Sequence, residues 1–212
     1  MYRPPAFRED RPEVLHALIR AHPLGTLITY GSGGLTANLL PFTLVEDGNG
    51  SAILRTHLAK ANEQLVDLCE GPEALVLFQG PQAYVSPSWY PSKQEHKKVV
   101  PTWNYVMVQV RGLPQVIDSA DWLLEQISHL TETQENHRPD PWKVSDAPEC
   151  FIASLLKGIV GLEIPIERIE GKWKVSQNRS STDRQGVADG LRHEDNAPAM
   201  ADLIETHRRD LL

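Results

Sequence analysis

Arg55-Thr56-His57-Leu58-Ala59-Lys60-Ala61-Asn62 is the stretch of this chain with the clearest chemistry. A phosphate dianion is held by Arg or Lys, by hydroxyls, and by the free N–H groups of a helix N-terminus. Read as a strand end entering a helix, the segment offers all three. The alternative is that Thr56 only caps the helix while Arg55 and Lys60 are solvated. A second candidate is Trp103-Asn104, where an indole covers the face of a heterocycle and an amide meets its edge. The plainer alternative is a core Trp with an Asn capping a turn. Trp89 and Tyr90, set between prolines, read as a subunit seam or a ligand lid in preference to core. A third string runs from Lys172 to Arg179, where alternation puts Lys172, Lys174 and Ser176 on one strand face. It also reads as a solvated edge strand protected by lysines.

Other chemistries lack their signatures. There is no Gly-x-Gly-x-x-Gly after a strand, no Walker loop and no Gly-x-Ser-x-Gly elbow. Gly31 to Gly34 joins two strands and reads as a hairpin turn. The eight histidines show no metal-ligand spacing. Ser86 and Ser88, beside prolines, read as loop residues.

The elements that must position these residues follow from periodicity. Asp10 and Glu13 form a capping-box pattern, and Val14, Leu15, Leu18 and Ile19 repeat at helical spacing up to His22-Pro23. Strands are expected at 24–30, 35–45 and 51–56, with turns at 31–34 and 47–50. A helix is expected over 57–70, then strands at 73–79 and 82–86 broken by Gly80-Pro81. A long strand covers 105–117, with Pro114 marking an edge or bulge. Asp118 caps a helix carrying Trp122, Leu123, Ile127 and Leu130. A short helix with Phe151, Ile152, Leu155 and Leu156 closes at Gly158. A strand over 159–169, a turn at 170–172 and a strand at 173–176 follow. Two helices, anchored by Val187, Leu191, Met200, Leu203 and Ile204, are expected after residue 180. Many short strands with few helices between them favour a closed antiparallel barrel: a mainly β fold with peripheral helices.

With 212 residues, 41% hydrophobic and 23% charged, the chain has the balance of a soluble globular protein. A net charge of -7 argues against nonspecific nucleic-acid or anionic-membrane binding. The segment from Met1 to Phe7 lacks the apolar core of a signal peptide, and no run reaches bilayer-spanning length. Cys69 and Cys150 read as free buried thiols of a cytoplasmic protein.

Several motifs, in order, resemble one family. They are Met1-Tyr2…Pro4…Phe7, His57 to Asn62, Gly80-Pro81…Tyr84 to Tyr90, Trp103-Asn104-Tyr105, Gly161…Glu163-Ile164 and Lys174 to Asn178. Together they resemble the PaiB-type FMN-binding negative transcriptional regulators, which are similar to the flavin split-barrel proteins. The resemblance implies a six-stranded antiparallel split barrel over 1–179, with inserted helices. It also implies a helical tail over 180–212 packed on the barrel or a partner subunit, a homodimer, and FMN at the subunit interface. It places the FMN phosphate at Thr56 and Lys60, with Arg55, His57 and Asn62 beside them, and the ring near Trp103 and Asn104. Oxidases of the wider group carry Ser-Arg-Lys where this chain reads Lys60-Ala61-Asn62, so the clamp here is thinner. The function implied is a flavin-dependent regulator or sensor without a DNA-binding motif of its own. The alternatives are an FMN-dependent oxidoreductase or flavin reductase, with His57 or His96 as candidate acid, and a haem protein using His96 or His193. No catalytic residue and no metal ligand are indicated.

Overall fold

The computed structural model describes residues 1–46 and 51–207, so the expected turn at 47–50 lies outside the described residues. The first half contains β1 (Arg8–Glu9), α1 (Pro12–Ala21), β2 (Leu24–Gly31), β3 (Gly34–Pro41), β4 (Thr43–Glu46), β5 (Ala52–Ala59), α2 (Gln64–Glu70) and β6 (Ala74–Val85). There follow α3 (Ser92–His96), β7 (Thr102–Gly112), β8 (Gln115–Ile117), α4 (Ala120–Glu135) and α5 (Glu149–Leu156). The chain then forms β9 (Ile159–Pro165), β10 (Arg168–Lys174), α6 (Ser181–His193) and α7 (Pro198–Thr206). The fold is mainly β. In place of one closed barrel there are two sheets, ordered β1-β10-β7-β6-β2-β3 and β4-β5-β9-β8. Every strand pairing whose register is defined is antiparallel.

Two compact units divide the chain. One comprises Met1–Leu18, Gln79–Val108 and the residues from Glu170 on; the other comprises Ile19–Phe78 and Gln109–Ile169. In the second unit, Leu27, Phe42, Leu54, Val76, Phe78, Leu162 and Ile164 are buried, with Phe42 and Phe78 edge to face at 5.6 Å. The expected strand over 35–45 is two strands. Phe42 separates them, its N–H donating to Pro23 O, so that β3 and β4 belong to different sheets.

The largest correction concerns residues 57–70. They are not one helix: β5 runs on to Ala59, and α2 begins only at Gln64. Seven residues of β5, Ile53 to Ala59, pair with β9, and Lys60 N–H still donates to Gly158 O. That ladder satisfies more backbone groups than the helix preference of Ala-Lys-Ala could offer. The cap of α4 is Ser119, whose Oγ accepts from Trp122 N–H, and not Asp118. Cys69 and Cys150 are free, as expected, but exposed.

In the first unit, β6 continues through Gly80-Pro81, and the expected turn at 170–172 lies inside β10. Gly171 is needed for packing: a Cβ there would lie 2.2 Å from Leu15 Cδ2. Trp89 and Tyr90 are not a surface seam. Both are buried in the protomer, and Trp89 Nε1 donates to Glu194 Oε2 at 2.9 Å. The N-terminus of α3 is fastened to α6, since Ser92 N–H and Oγ both donate to the Asp183 carboxylate. Ser180 caps α6, accepting from Asp183 N–H.

Candidate functional site

Strand β5 alternates strictly. Leu54, Thr56 and Leu58 are buried, while Ile53, Arg55 and His57 are half-buried on the opposite face. Thr56 is therefore an interior residue, 0% exposed, and its Oγ donates to Pro41 O at 2.7 Å. Its hydroxyl is thus engaged inside the protein by the Pro41 carbonyl, and no helix N-terminus begins beside it, since α2 starts at Gln64.

The outward face carries polar chemistry. Arg55 stands opposite Glu163 in the ladder, and its Nε lies 2.8 Å from Glu163 Oε1. That contact is an ion pair without hydrogen-bond alignment, so Arg55 Nε is buried with no hydrogen bond. Arg55 Nη1 reaches exposed Glu125 at 3.4 Å, and the guanidinium lies 5.6 Å from the centroid of the Trp122 ring. Trp122 Nε1 donates to Glu163 Oε1 at 3.1 Å. His57 stands opposite Gly161, where the Trp122 ring occupies the space a side chain would need; a Cβ would sit 2.3 Å from it. His57 Nδ1 is also buried without a partner, and burial pushes the imidazole pKa below 6.5. Neutral His57 is thus the form the fold favours.

Lys60 and Asn62 follow the strand. Lys60 Nζ donates to Asp118 Oδ1 at 2.7 Å in an exposed pair. Asn62 Oδ1 accepts from Gln64 N–H at 3.0 Å, ordering the start of α2. Asn62 and Gln64 also line a polar cavity of about 510 Å³ with Ser32, Thr36, Asn38 and Asp67.

Trp103 and Asn104 belong to the first unit and are described there. Trp103 is 50% exposed, donates its Nε1–H to Gln82 and meets Tyr84 edge on at 6.0 Å. Asn104 is buried and donates to Ser176 Oγ at 2.9 Å, so its amide does not lie on the surface. His96 Nδ1 accepts from Lys98 N–H, and His193 Nδ1 contacts Asp189 O. Sequence reasoning overlooked Trp122 and Glu163 as partners of Arg55. Trp122 read as one apolar position of a helix stripe, and only the β5–β9 register reveals what it covers.

The donor set suits a phosphate monoester. His57 Nδ1 belongs to the buried polar atoms that lack a hydrogen bond, and it shares its strand face with Arg55, whose Nε already lies 2.8 Å from Glu163 Oε1. Such atoms are rare unless a further group is to meet them. Lys60 adds a cation whose exposed pair with Asp118 costs little to exchange.

Residues 1–168 match the family described as "Putative FMN-binding domain". The chain belongs to this family. Its cofactor is accordingly FMN, which when bound supplies redox chemistry that the side chains lack. Among similar proteins, protease synthase and sporulation protein PAI 2 of Bacillus subtilis is 35% identical, covering 97% of both chains. An uncharacterized protein of Emericella nidulans is also 35% identical, covering 90% of each. Two solved structures share the fold. The FAD and heme binding protein of Mycobacterium smegmatis is 19% identical with a TM-score of 0.58, covering 79% of this chain and 73% of its own. The flavocytochrome Anf3 of Azotobacter vinelandii is 12% identical with a TM-score of 0.55, covering 79% and 69%. The fold is that of the flavin split-barrel proteins. Among the described residues, no helix is long and apolar enough to cross a membrane.

Proposed function

We propose that this chain is an FMN-dependent regulatory protein that works as a homodimer in the cytoplasm, with the FMN phosphate held by Arg55, His57, Lys60 and Asn62. The observation that carries the phosphate assignment is buried His57 Nδ1, which lacks a hydrogen-bond partner and shares one face of β5 with the Arg55 guanidinium. A phosphate oxygen would accept from Nδ1–H of the neutral His57 imidazole, and Arg55, already paired with Glu163, would add its charge beside it. The regulatory reading is supported by the Bacillus relative, whose name links it to protease synthase and sporulation. Titrating FMN by fluorescence into the wild type and an Arg55→Ala/Lys60→Ala variant tests the site. Each charge-assisted contact is worth about 1.5–3 kcal/mol, so the double variant should bind FMN at least roughly 100-fold more weakly. Equal affinity would show that the phosphate sits elsewhere. Steady NADPH oxidation by the FMN-loaded protein, at enzymatic rates, would replace the regulatory reading with an oxidoreductase.

The dimer has a candidate surface within the second unit. Leu24, Thr26, Ile28 and Tyr30 of β2 stand opposite Pro41, Leu39, Ala37 and Leu35 of β3 and so share one face. Leu24, Tyr30, Leu35 and Leu39 are each more than half exposed, and β3 is the last strand of its sheet. An apolar face on an edge strand is the kind of surface that a second copy covers. Light scattering should show a dimer for the wild type and a monomer for Leu35→Glu/Leu39→Glu. The same mass for both would remove this face from the interface.

A further inference from the structure

An apolar cavity of about 440 Å³ opens between α4, α5 and the turn at 143–147, all within the second unit. Leu124 of α4, Val144 of the turn, and Ile152 and Leu156 of α5 supply its apolar walls. Ile152 and Leu156 are four residues apart, so α5 turns a single stripe toward the space. Each wall is held by its own bonds. Gln126 ties α4 to β4 and β5, its Nε2 donating to Thr43 Oγ1 at 2.9 Å and to Arg55 O at 3.4 Å. In the turn, Asp146 N–H donates to Lys143 O, and Lys143 N–H donates to the Asp146 carboxylate. At the start of α5, Phe151 and Ile152 N–H donate to Pro148 O; just past its end, Gly158 O accepts from Lys60 N–H. Ala147 and Ala153 line the cavity where longer side chains would fill it. The space is therefore built into the fold, and its size lies within the range of ligand pockets, about 300–1,000 Å³.

Ser128, Ser145 and Glu149 are the polar part of the lining. Among the described residues, none of these three side chains forms a hydrogen bond or an ion pair. Thr133 and Thr206, also on helices, donate to the carbonyl four residues back, a bond that Ser128 does not make. Glu149 is the one ionisable residue of the lining. It stands in the first turn of α5, where the free N–H groups of the helix favour a negative charge. The surroundings have the same sign: from Ala120 to Lys157 there are seven Asp and Glu against three Lys and Arg. Those three bases, Arg138, Lys143 and Lys157, do not line the cavity, and Arg138 is paired with Glu135. A first-turn acid alone is ordinary. Here it stands at an apolar cavity beside two uncommitted hydroxyls.

The occupant that suits this lining carries an apolar body and a cationic donor. A carboxylate or phosphate would meet like charge at Glu149. A neutral hydrocarbon would leave Glu149 and both serines facing it unmet. A primary ammonium brings a positive charge and three N–H donors, as many as the one carboxylate and two hydroxyls can take between them. We infer that the cavity between α4 and α5 is a binding site for a small lipophilic primary amine. It shares no lining residue with Arg55, His57, Lys60, Asn62, Trp103 or Asn104, so the inference stands wherever FMN lies.

Calorimetric titration of the FMN-saturated protein with phenylbutylamine tests it, with phenylbutanol and phenylbutyrate, on the same carbon skeleton, as separate arms. The amine should bind most tightly and the acid least. Glu149→Gln should weaken amine binding roughly fivefold, the scale of an exposed charge pair, and leave the alcohol unchanged. Ala153→Phe, which fills the cavity, should abolish binding of both, with a thermal melt to show that the variant is folded. Glu149→Gln, at an exposed position, decides the matter if Ala153→Phe folds poorly. Absence of amine binding, equal binding of amine and acid, or an amine affinity unmoved by Glu149→Gln would overturn the inference. Release of FMN by the amine would place the amine in the flavin site and overturn it too. A leucine–lysine amphipathic peptide that binds far more tightly than the amine, and is blocked by Ala153→Phe, would replace the amine site with a protein-docking groove.

Discussion

Gly190→Ala should lower the melting temperature by roughly 5–10 °C, although alanine is the better helix former. The added Cβ would lie 2.3–2.5 Å from three atoms of the Trp89 ring, well inside contact distance. The ring cannot retreat, because Trp89 is buried and its Nε1 is tied to Glu194. Gly186, one turn earlier in α6, has the same role, since a Cβ there would meet Trp89 O at 2.2 Å. The two glycines make a notch in α6 into which the Pro87–Trp89 turn fits. Overpacking of this kind costs about 1–3 kcal/mol and occasionally more, against about 1 kcal/mol gained from helix propensity. A clash this deep, with a buried indole held by Glu194, should fall at or above the upper end. For a chain of this size a net loss of about 2–3 kcal/mol corresponds to the stated shift. Gly33→Ala is the control, since nothing lies within 4 Å of a Cβ there. A rise in melting temperature for Gly190→Ala would mean that α6 does not seat on Trp89 in solution. Restoration of part of the loss in a Trp89→Leu background would locate the clash.

That notch also shows why the sequence misled at Trp89. Flanking prolines and hydroxyls gave the local look of a loop, and the partner that buries the ring lies about a hundred residues further on. Elements set by local rules were readable: the amphipathic helix around Leu15 and Ile19, the hairpin at Gly31–Gly34, and the short helix before Gly158. The mainly β class was readable too. The division into two sheets was not, because it turns on Phe42, where one apolar run changes sheets. At the candidate site, Arg55, His57, Lys60 and Asn62 stood out by residue type. The orientation of Thr56 followed from an element boundary. Once β5 reaches Ala59, alternation forces Thr56 onto the side of Leu54 and Leu58. A helix starting at His57 would have left its hydroxyl at a cap. Gly171 misled for a related reason: a glycine required by a packing contact looks, in sequence, like one required by a turn.

Gln64→Glu should be the most damaging single-atom-scale change in the second unit, and its effect should depend on pH. Gln64 is 1% exposed and sits at the centre of a polar network. Its Nε2 donates to Leu27 O and Thr29 Oγ1 at 3.2 and 3.1 Å, with Thr36 O at 3.4 Å. Its Oε1 accepts from Asn38 Nδ2 at 2.9 Å, and Thr29 Oγ1 in turn donates to Asp67 Oδ2. The network fastens α2 to the β2–β3 hairpin. A carboxylate at 64 would turn its two donor hydrogens into lone pairs facing two carbonyl oxygens, with the Asp67 charge close behind. Ionised, it would leave several buried groups unpaired at about 1–3 kcal/mol each, so the loss near neutral pH should exceed about 3 kcal/mol. Protonated, it keeps one donor and recovers part of the loss. Its folded-state pKa is therefore raised above the unfolded value of about 4.3. The sign follows: the deficit relative to wild type is smallest below that unfolded value and grows as pH rises toward the folded one. Urea midpoints at about pH 4.5 and about pH 7.5 should show the gap widening with pH, and a pH-independent gap would contradict the network. Gln64→Leu, which carries no charge, should give a smaller and pH-flat loss. Because Asn62 Oδ1 is held by the N–H of residue 64, disturbance of the start of α2 should also loosen Asn62, and both variants should bind FMN less tightly than their stability alone explains. Unchanged FMN affinity in the folded fraction of either variant would remove Asn62 from the phosphate contacts while leaving Arg55, His57 and Lys60 in place.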